Sequence, residues 1–338
     1  MNNYANDGDA TDMIKRVFID GGAGTTGLVI RDRLAERDDI QLNILPEALR
    51  KSPEARKEMI NEADIAFFCL PDSAAIEAAG WCENPDTVII DTSTAHRCDN
   101  DWTYGFPELS DSEGGKLRHQ IGISKRIANP GCHASGFIAL TAPLIQAGFL
   151  PADALLTCFS LTGYSGGGRK MIEEYEGVSG DSQVLPEPYA SPRQYGLSQN
   201  HKHLPEMIKL AGLKRAPVFC PVVASFKRGM EVTVPLFADQ LAEEGGNGTD
   251  TALGMIREIY TDYYKGSLVH FDPEGDENGF LAAGKMAGRD DMEIAVFGNE
   301  ERILLTARFD NLGKGACGAA IQNMNLVLGV EETTGLVL

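Results

Sequence analysis

Short continuous apolar runs alternate with segments of helical periodicity through the first 130 residues of the chain. The runs at residues 16–20, 41–45, 64–70 and 87–90 are typical of strands buried on both faces of a parallel sheet. The first run is followed by Leu28, Ile30 and Leu34, whose spacing indicates a helix. This alternation predicts an α/β domain with a parallel sheet.

The pattern changes after Leu150. The segments at 155–161, 218–223, 230–236 and 302–308 are rich in β-branched and aromatic residues, and long connections separate them, which predicts a mixed or antiparallel sheet. An apolar stripe over residues 315–329 predicts an amphipathic helix, which we expect to pack on the first domain. A chain of 338 residues favours two domains.

Composition narrows the classes of partner and compartment. The chain has 49 acidic and 30 basic residues, a net charge of −19, which disfavours nucleic acid and anionic membranes as partners. Seven cysteines without a C-x-x-C pair favour reduced thiols in the cytoplasm over disulfides or a zinc site. We expect neither a signal peptide nor a membrane span, because no apolar run approaches about 18 residues.

The strongest candidate for chemistry is Cys132. It follows an Asn-Pro-Gly sequence typical of a tight turn, and the apolar spacing from Ala134 onward predicts a helix, with a kink or a break at Pro143. The free N–H groups and dipole of a helix start would lower the pKa of the thiol and receive an oxyanion. A free cysteine is more often a small buried hydrophobe, but this setting favours a nucleophile.

A glycine-rich segment, GGAGTTG, lies between the first predicted strand and the first predicted helix. In that context it is typical of a dinucleotide-binding turn, with the phosphates at the helix N-terminus. A glycine-rich turn alone would be weak evidence. The candidate cofactor-binding residues are Gly22, Ala23, Gly24, Thr25, Thr26 and Gly27.

The residues after the second predicted strand point in two directions. Glu47 stands where an acidic residue would select NAD, whereas Arg50 and Lys51 could pair with a 2′-phosphate. A solvated helix face explains the two basic residues equally well. The sequence pattern leaves the choice between the cofactors open.

Two further strands end in polar loops that carry candidate ligands. Pro71 and Ser93 follow the predicted strands at 64–70 and 87–90, at the edge where open α/β sheets bind ligands, although Ser93 is equally typical of a turn. Arg97 is a candidate anion clamp, although a surface arginine is commoner. The loop at 162–169, TGYSGGGR, could close near a ligand.

Two of the six histidines, His201 and His203, form an H-x-H segment. Recognised spacing for a third metal ligand is lacking, so we expect no metal. As general acid–base candidates they could pair with a thiol, with Glu206 either orienting one imidazole or starting the next helix. A polar loop histidine would be the ordinary interpretation without Cys132.

Taken together, GGAGTTG, YGFPEL, NPGCHAS, TGYSGGGR, HKHLPEM and DNLGKGACGAAIQNMN resemble the N-acetyl-γ-glutamyl-phosphate reductases of arginine biosynthesis, most closely their short type 2 form. The resemblance runs from about Val17 to Gly329. It implies NADP as cofactor and an α/β fold: a Rossmann-type dinucleotide-binding domain plus an α+β substrate and dimerisation domain like that of semialdehyde dehydrogenases. By resemblance Cys132 is the nucleophile and His203 the acid–base, with His201, Glu206 and Tyr195 nearby.

The resemblance also divides the chain and completes the predicted site. We expect a disordered N-terminus at 1–12, an NADP-binding domain at 13–130 with 313–338, a catalytic domain at 131–312, and a homodimer or homotetramer. The loop DNLGKG adds three cofactor-binding candidates, Asn311, Lys314 and Gly315. The candidates for holding substrate are Arg97, Asn129, Arg169, Tyr195 and Arg228.

The implied reaction reduces an acyl phosphate to an aldehyde. The Cys132 thiolate displaces phosphate to give a thioester, a hydride reduces it, and His203 moves the proton. Two alternatives remain open at this stage. One is a related semialdehyde dehydrogenase of the aspartate or aminoadipate pathway, and the other is an NADP-binding sensor without turnover.

Overall fold

The computed structural model describes residues 14–110, 115–179, 185–242 and 251–338; the expected disorder at 1–12 lies outside these ranges. Elements are numbered in chain order. The first sheet contains six parallel strands, in the order β2-β1-β3-β4-β6-β5, as the apolar runs predicted. These strands are β1 Lys15–Asp20, β2 Ile40–Asn43, β3 Ile65–Phe68, β4 Val88–Asp91, β5 Thr103–Tyr104 and β6 Arg126–Ala128.

Four helices connect these strands and cover the sheet: α1 Thr25–Leu34, α2 Pro53–Glu62, α3 Asp72–Gly80 and α4 Leu117–Ile123. The central strand β3, IAFF, is apolar at every position because successive side chains enter different cores. In β3, Phe67 packs into the larger core and Phe68 into a smaller one on the opposite face. A sheet covered on both sides exposes its carboxyl edge, and the candidate site lies at that edge.

The helix after β6 is α5, Cys132–Gln146, which continues through Pro143. Of the kink or break predicted there, the break is wrong. Pro143 cannot donate to the carbonyl of Ala139, four residues earlier. The Tyr264 hydroxyl donates to that carbonyl at 2.7 Å, and Tyr260 donates to the next carbonyl, that of Leu140. A buried helix with its freed acceptor satisfied from outside can continue through proline.

The second sheet is mixed, as predicted, in the order β11-β12-β13-β10-β7-β9-β8. Its strands are β7 Thr157–Gly163, β8 Arg193–Gln194, β9 Val218–Ala224, β10 Met230–Phe237, β11 Val269–Phe271, β12 Met292–Gly298 and β13 Arg302–Phe309. The helices that follow α5 are α6 Gly168–Ser179, α7 Leu204–Ala211 and α8 Ala252–Tyr263. Helices α5 and α8 pack on this sheet.

The last helix, α9 Gly318–Leu328, follows a π-helical turn at Gly313–Cys317 and ends at Gly329, whose φ is +70°. The predicted helix therefore exists but begins three residues later than expected. It packs on the first sheet's side of the molecule, where the Asn323 amide donates to Gly105 O at 3.0 Å. Within the described residues, no helix has the length and apolarity needed to cross a bilayer.

Candidate active site

Two adjoining cavities open at the carboxyl edge of the first sheet. The Cys132 cavity, of about 390 Å³, is lined by residues that include Cys132, Tyr195, His201, Lys202 and His203. The glycine-turn groove, of about 1330 Å³, is lined by residues that include Gly22, Gly24, Arg50 and Pro71. Thr25, Ser165 and Leu312 line both. A ligand in the groove therefore meets the cavity that holds the thiol.

The turn before Cys132 is held by side chains from distant parts of the chain. The Asn129 amide donates to Ala316 O at 2.9 Å and accepts from Asn323 at 3.2 Å. The Gly131 N–H donates to Glu206 Oε1 at 2.8 Å. Cys132 is therefore the first residue of α5 on a turn that cannot shift without breaking these bonds. Asn129, predicted to hold substrate, lines the cavity but uses its amide on the protein itself.

Gly131 is required by crowding. A Cβ atom there would lie 2.3 Å from an Arg97 guanidinium nitrogen and 2.6 Å from His203 Nε2, closer than real Cβ contacts. The same measurement places His203 Nε2 beside the residue that precedes the thiol. Gly315 is also close to the thiol, because a Cβ on it would lie 3.0 Å from Cys132 Cβ.

Arg97 enters the cavity as a buried and well-anchored cation. Its Nε donates to Asn129 O at 2.8 Å and another nitrogen donates to Thr92 O at 3.1 Å. Glu206 faces it at 3.4 Å. Arg97 therefore places its charge in the Cys132 cavity, where its role as an anion clamp stays a prediction.

Glu206 does not orient an imidazole through a hydrogen bond to any described residue. It lies in the first turn of α7, and its carboxylate accepts from Tyr104 at 2.7 Å and from Gly131, and faces Arg97. Of the two roles predicted for Glu206, the start of the next helix is confirmed, and the orientation of an imidazole is corrected. The carboxylate instead holds the turn, because α7 packs against α5.

The electrostatics of Cys132 differ from the expectation of an acidic thiol. Burial raises the pKa of the Cys132 thiol above its ordinary value of 9.0, although the Arg97 charge and the His133 backbone N–H act in the opposite direction. The helix start and the cation do not overcome desolvation. A partner that accepts the proton is therefore needed for attack.

His203 and His201 both line the cavity, in a turn rather than an extended segment. Burial and the Arg97 charge hold the pKa of His203 well below its usual range, so its imidazole is neutral and can accept a proton. His203 Nδ1 is buried without a hydrogen-bond partner among the described residues. His201 Nδ1 accepts the His203 backbone N–H at 3.2 Å, so His201 shapes the turn that carries His203.

Two cavity residues, His133 and Lys202, were missed by sequence reasoning. His133 is buried, with Nδ1 2.6 Å from Ser160 Oγ and Nε2 2.7 Å from Tyr195 Oη. Lys202 is exposed and lines the cavity between the two singled-out histidines. In the sequence they are marked only by being next to Cys132 and to the H-x-H histidines, and such a position does not separate a functional residue from an ordinary one.

The glycine turn has the predicted strand–turn–helix form. Gly21, with φ +84°, makes the turn, and a Cβ there would lie 2.2 Å from Cys69 O. Gly27 packs against Gly21, where a Cβ would lie 2.6 Å from its carbonyl oxygen. Gly22, Ala23, Gly24 and Thr25 line the groove, whereas Thr26 lines the Cys132 cavity. Gly24 precedes α1 without a side-chain cap from any described residue.

Two predicted cofactor ligands lie away from both cavities. Lys314 is buried, and its ammonium donates to both Glu108 carboxylate oxygens at 2.8 Å and to Gln322 at 2.6 Å, so a phosphate cannot reach it. The Ser93 hydroxyl is buried and donates to Asp91 at 2.7 Å. The prediction that Lys314 and Ser93 contact the cofactor is therefore corrected. The Lys314 ammonium is used in an internal ion pair, and the Ser93 hydroxyl is used in its own turn.

Two predicted substrate ligands lie on the wrong cavity. Arg169 and Arg228 line the glycine-turn groove and not the Cys132 cavity as the described residues form it. Arg169 lies on α6, which faces the groove, and its exposed side chain pairs with Glu173 at 2.8 Å. Arg228 pairs with the buried Asp310 at 2.8 Å. Their position fits the cofactor side of the site rather than the substrate side.

The remaining predicted cofactor residues lie at the two cavities. Pro71 precedes α3 at the groove, and Gly315 lines the Cys132 cavity. Asn311 also lines that cavity, where its amide donates to Ser165 Oγ at 2.8 Å and accepts from Gly229 at 3.0 Å. Asn311 therefore ties β13's end to the loop after β7.

The residues after β2 line the glycine-turn groove. Glu47 and Arg50 form an exposed ion pair at 2.6 Å, and Lys51 is exposed beside them. An exposed ion pair contributes only about 0–1 kcal/mol, so an incoming phosphate can replace the carboxylate. The assignment of Arg50 and Lys51 as the residues that select the cofactor stays a prediction that mutagenesis must test.

Comparison with known proteins agrees with this geometry. Family models described as semialdehyde dehydrogenase, NAD binding domain, and semialdehyde dehydrogenase, dimerisation domain, match residues 45–116 and 132–311. An aspartate semialdehyde dehydrogenase II from Vibrio cholerae, complexed with ASA, has a TM-score of 0.69 at 17% identity, over 94% of this chain and 98% of that one. At that identity the likeness shows the fold, and it confirms the predicted fold class.

Sequence relatives identify the family more narrowly. The N-acetyl-γ-glutamyl-phosphate reductase of Brucella anthropi is 44% identical over 94% of this chain and 99% of its own length. That of Burkholderia lata is 43% identical over 94% of this chain and 97% of its own. The chain therefore belongs to the N-acetyl-γ-glutamyl-phosphate reductase family.

Proposed function

We propose that this enzyme reduces N-acetylglutamyl 5-phosphate to N-acetylglutamate 5-semialdehyde and phosphate, with NADPH as reductant and Cys132 as the covalent nucleophile. The observation that carries the proposal is the position of Cys132. It begins α5 in the cavity that adjoins the glycine-turn groove, with Arg97 and His203 packed around the preceding glycine. The relatives at 43–44% identity, which are named for this reaction, support the substrate.

The glycine-turn groove fits the cofactor. The backbone N–H groups at the start of α1 are uncapped by described side chains, and a Cβ on Gly24 would lie no closer than 3.6 Å to any neighbour, which leaves room for a diphosphate. Gly22, Ala23, Gly24, Thr25 and Pro71 would hold it. When bound, NADPH supplies the hydride that reduces the thioester.

The first step is made by residues of this chain. Because burial keeps the Cys132 thiol protonated, His203 takes its proton as Sγ attacks the acyl carbon. The Arg97 charge favours the thiolate. The backbone N–H groups at the start of α5 receive the oxyanion, and a donor in such a position is typically worth about 3 kcal/mol. The Gly131 N–H does not contribute, because it donates to Glu206.

Phosphate release needs cations in an acidic protein. Among the described residues that line the Cys132 cavity, Arg97 and Lys202 are the cations. The anchored Arg97 suits the group next to the reacting carbon, and the exposed Lys202 suits the distal carboxylate of the substrate. Of the predicted substrate ligands, Arg97, Asn129 and Tyr195 line this cavity, and Arg97 is the cation among them.

In the second half of the reaction, the reduction of the thioester, the proton moves in the opposite direction. The alkoxide formed on the Cys132 adduct takes the proton from His203, which receives it back as the thiohemiacetal collapses to the aldehyde. Thiolate suits both halves, because it is a good nucleophile and a good leaving group. His201, which fixes the His203 backbone, shapes the cavity without moving this proton.

The assembly and the domain boundaries are also proposals. Residues 13–130 with 313–338 would bind NADP, and residues 131–312 would bind substrate. Apolar side chains on one face of β7, β10 and β13, which include Phe159, Pro235 and Leu304, are exposed, and we propose that they pair two copies into a homodimer or homotetramer. The seven unpaired cysteines suit a reducing compartment, as expected for cytoplasm.

The decisive experiment is phosphate-dependent reduction of NADP⁺ with N-acetylglutamate 5-semialdehyde. We expect turnover with this aldehyde and little with aspartate semialdehyde. Cys132→Ser should abolish turnover while NADPH binding persists, and Cys82→Ser is the matched control. Acyl phosphate without NADPH should leave an acyl adduct on Cys132, detected by mass spectrometry. Faster turnover of aspartate semialdehyde would overturn the substrate, and an adduct on another cysteine would overturn the nucleophile.

A further inference from the structure

His133, the residue after the nucleophile, connects the cavity to a buried serine. Its ring lies between Ser160 of β7 and Tyr195, with nitrogen–oxygen distances of 2.6 Å and 2.7 Å. Ser160 is fully buried, whereas Tyr195 lines the Cys132 cavity. None of the steps above uses His133 or Ser160. The chain Ser160–His133–Tyr195 therefore needs an explanation of its own.

The His133 ring is neutral in the folded protein. Burial, with the neighbouring His201 acting in the same direction, lowers the pKa of His133 to about 3. A neutral imidazole carries one proton, so one ring nitrogen donates and the other accepts. The two hydrogen bonds of His133 must therefore run in the same direction along the chain, either toward the cavity or away from it.

Ser160 decides which direction is the better one. Its Oγ has a single hydrogen-bond partner within the described ranges, His133 Nδ1. If Nδ1 donated to Ser160, the buried serine hydroxyl would have no acceptor for its own proton, and an unpaired buried donor is costly. If Ser160 donates to Nδ1, every proton in the buried part of the chain has an acceptor. In that arrangement Nε2–H donates to Tyr195 Oη.

We propose that the Tyr195 hydroxyl is a hydrogen-bond donor to an oxygen of the acyl substrate in the Cys132 cavity, and that Ser160 and His133 fix the direction of its O–H bond. Because Tyr195 Oη accepts from His133, its own proton is free to point into the cavity. Tyr195 is then a catalytic residue, while His133 and Ser160 are positioning residues that never touch the substrate. This role deepens the proposed function and rests on it.

Charge at the phenol agrees with a donor role. Burial, and the Cys132 thiolate nearby, raise the pKa of Tyr195 above its ordinary value, so the hydroxyl keeps its proton while the thiolate is present. The opposite direction would make Tyr195 donate to His133 and present only lone pairs to the cavity. It would then bind a substrate N–H instead of an oxygen. The two directions are chemically distinct and can be measured.

The first test reads the tautomer of His133 in the free enzyme. Long-range ¹H–¹⁵N correlation spectra of protein labelled on its six histidines would be assigned by comparison with His133→Gln. We expect His133 to be the Nε2–H tautomer. The Nδ1–H tautomer would overturn the proposal, because it reverses the chain. This measurement uses no substrate, so an error in the proposed reaction leaves its result intact.

The second test asks whether Ser160 and Tyr195, at the two ends of the hydrogen-bond chain, act together on the kinetics. Tyr195→Phe should lower kcat/KM about tenfold or more, the loss expected for one good hydrogen bond. Ser160→Ala should cause part of that loss in the otherwise native enzyme and none in the Tyr195→Phe background. Ser160→Thr, which keeps the hydroxyl, should restore activity. Losses that multiply in the double variant would show that Ser160 acts only on packing and would overturn the coupling.

Discussion

Two strand–turn–helix units with the same outline lie at one edge of the first sheet and are built in different ways. The glycine turn after β1 is shaped by its own glycines, with Gly21 at φ +84° and room at Gly24, where a Cβ would lie 3.6 Å from the nearest atom. The turn after β6 is buried and is held by Glu206, Ala316 and Asn323, all of them more than 70 residues away. One turn is a local structure, and the other is a product of the whole fold.

The difference follows from what each turn has to do. A diphosphate needs N–H groups and space, which a glycine turn provides without help. A nucleophile has to keep its distance from a base and from a cation to within a fraction of an ångström. The cross-links around Asn129 and Gly131 provide that constraint. Substitutions should therefore be tolerated differently in the two turns.

The largest effect should come from His203, the proposed proton carrier beside the Cys132 turn. We expect His203→Asn to lower kcat by about 10²–10⁴-fold, the usual contribution of a general acid–base, because a neutral imidazole next to Gly131 is the acceptor for a thiol that burial keeps protonated. Steady-state kinetics across pH would measure it.

His201→Asn is the matched variant. It removes the acceptor of the His203 backbone N–H and should act mainly on KM. If His201→Asn instead loses the pH-dependent limb while His203→Asn keeps it, the assignment of the base is reversed.

A second, smaller effect should separate the two turns directly. Gly131→Ala places a methyl group 2.3 Å from Arg97 and 2.6 Å from His203, and a displacement of about 1 Å at such a site can cost about 10²-fold in rate. We expect kcat to fall by that order with NADPH affinity unchanged. Assays at saturating NADPH, with binding measured by fluorescence, would test this.

Gly24→Ala is the control in the other turn. Its nearest neighbour would be 3.6 Å away, so the fold should persist and any effect should appear in KM for NADPH. Equal losses of kcat in the two variants would contradict the distinction between them.

The same distinction explains how much could be predicted from the sequence. Periodicity and turn residues are local, so they predicted both strand–turn–helix units, the parallel sheet, and the position of Cys132 at a helix start. Partners that arrive from elsewhere could not be predicted in this way. The sequence around Lys314 predicts a phosphate ligand, because nothing near it in the chain reveals that Glu108 neutralises it.

Pro143 gives the same lesson for the fold. Local rules predict a break there, because proline leaves a helix carbonyl without its donor. Tyr260 of α8 and Tyr264, just after α8, donate to carbonyls at this place, and both lie about 120 residues away in the chain. The pKa of Cys132 is a further case, since the dipole is visible in the sequence but burial is not. In each of these cases a long-range contact or burial outweighed a correct local tendency.

The third prediction concerns the glycine-turn groove. Arg50→Ala with Lys51→Ala should reduce the preference for NADPH over NADH by about tenfold, the value of one charge-assisted contact, with kcat for NADPH unchanged at saturation. The control is Lys265→Ala. Lys265 is exposed, pairs with Asp262, and is not among the described residues that line the groove. An unchanged ratio would move the selection to Arg31 or Arg56, which also line the groove.

The smallest effect tests whether burial outweighs the helix start at Cys132. A thiol whose pKa lies above 9.0 should be alkylated by iodoacetamide at a rate that keeps rising with pH beyond 9, because only the thiolate reacts. Lys202 favours the thiolate weakly and is exposed, so Lys202→Met should shift the midpoint slightly upward, while Lys214→Met, an exposed lysine near Asp153, should not. Peptide mapping would restrict the measurement to Cys132. A rate already constant at neutral pH would show that the two helix starts are electrostatically alike, and the contrast between the turns would then rest on geometry alone.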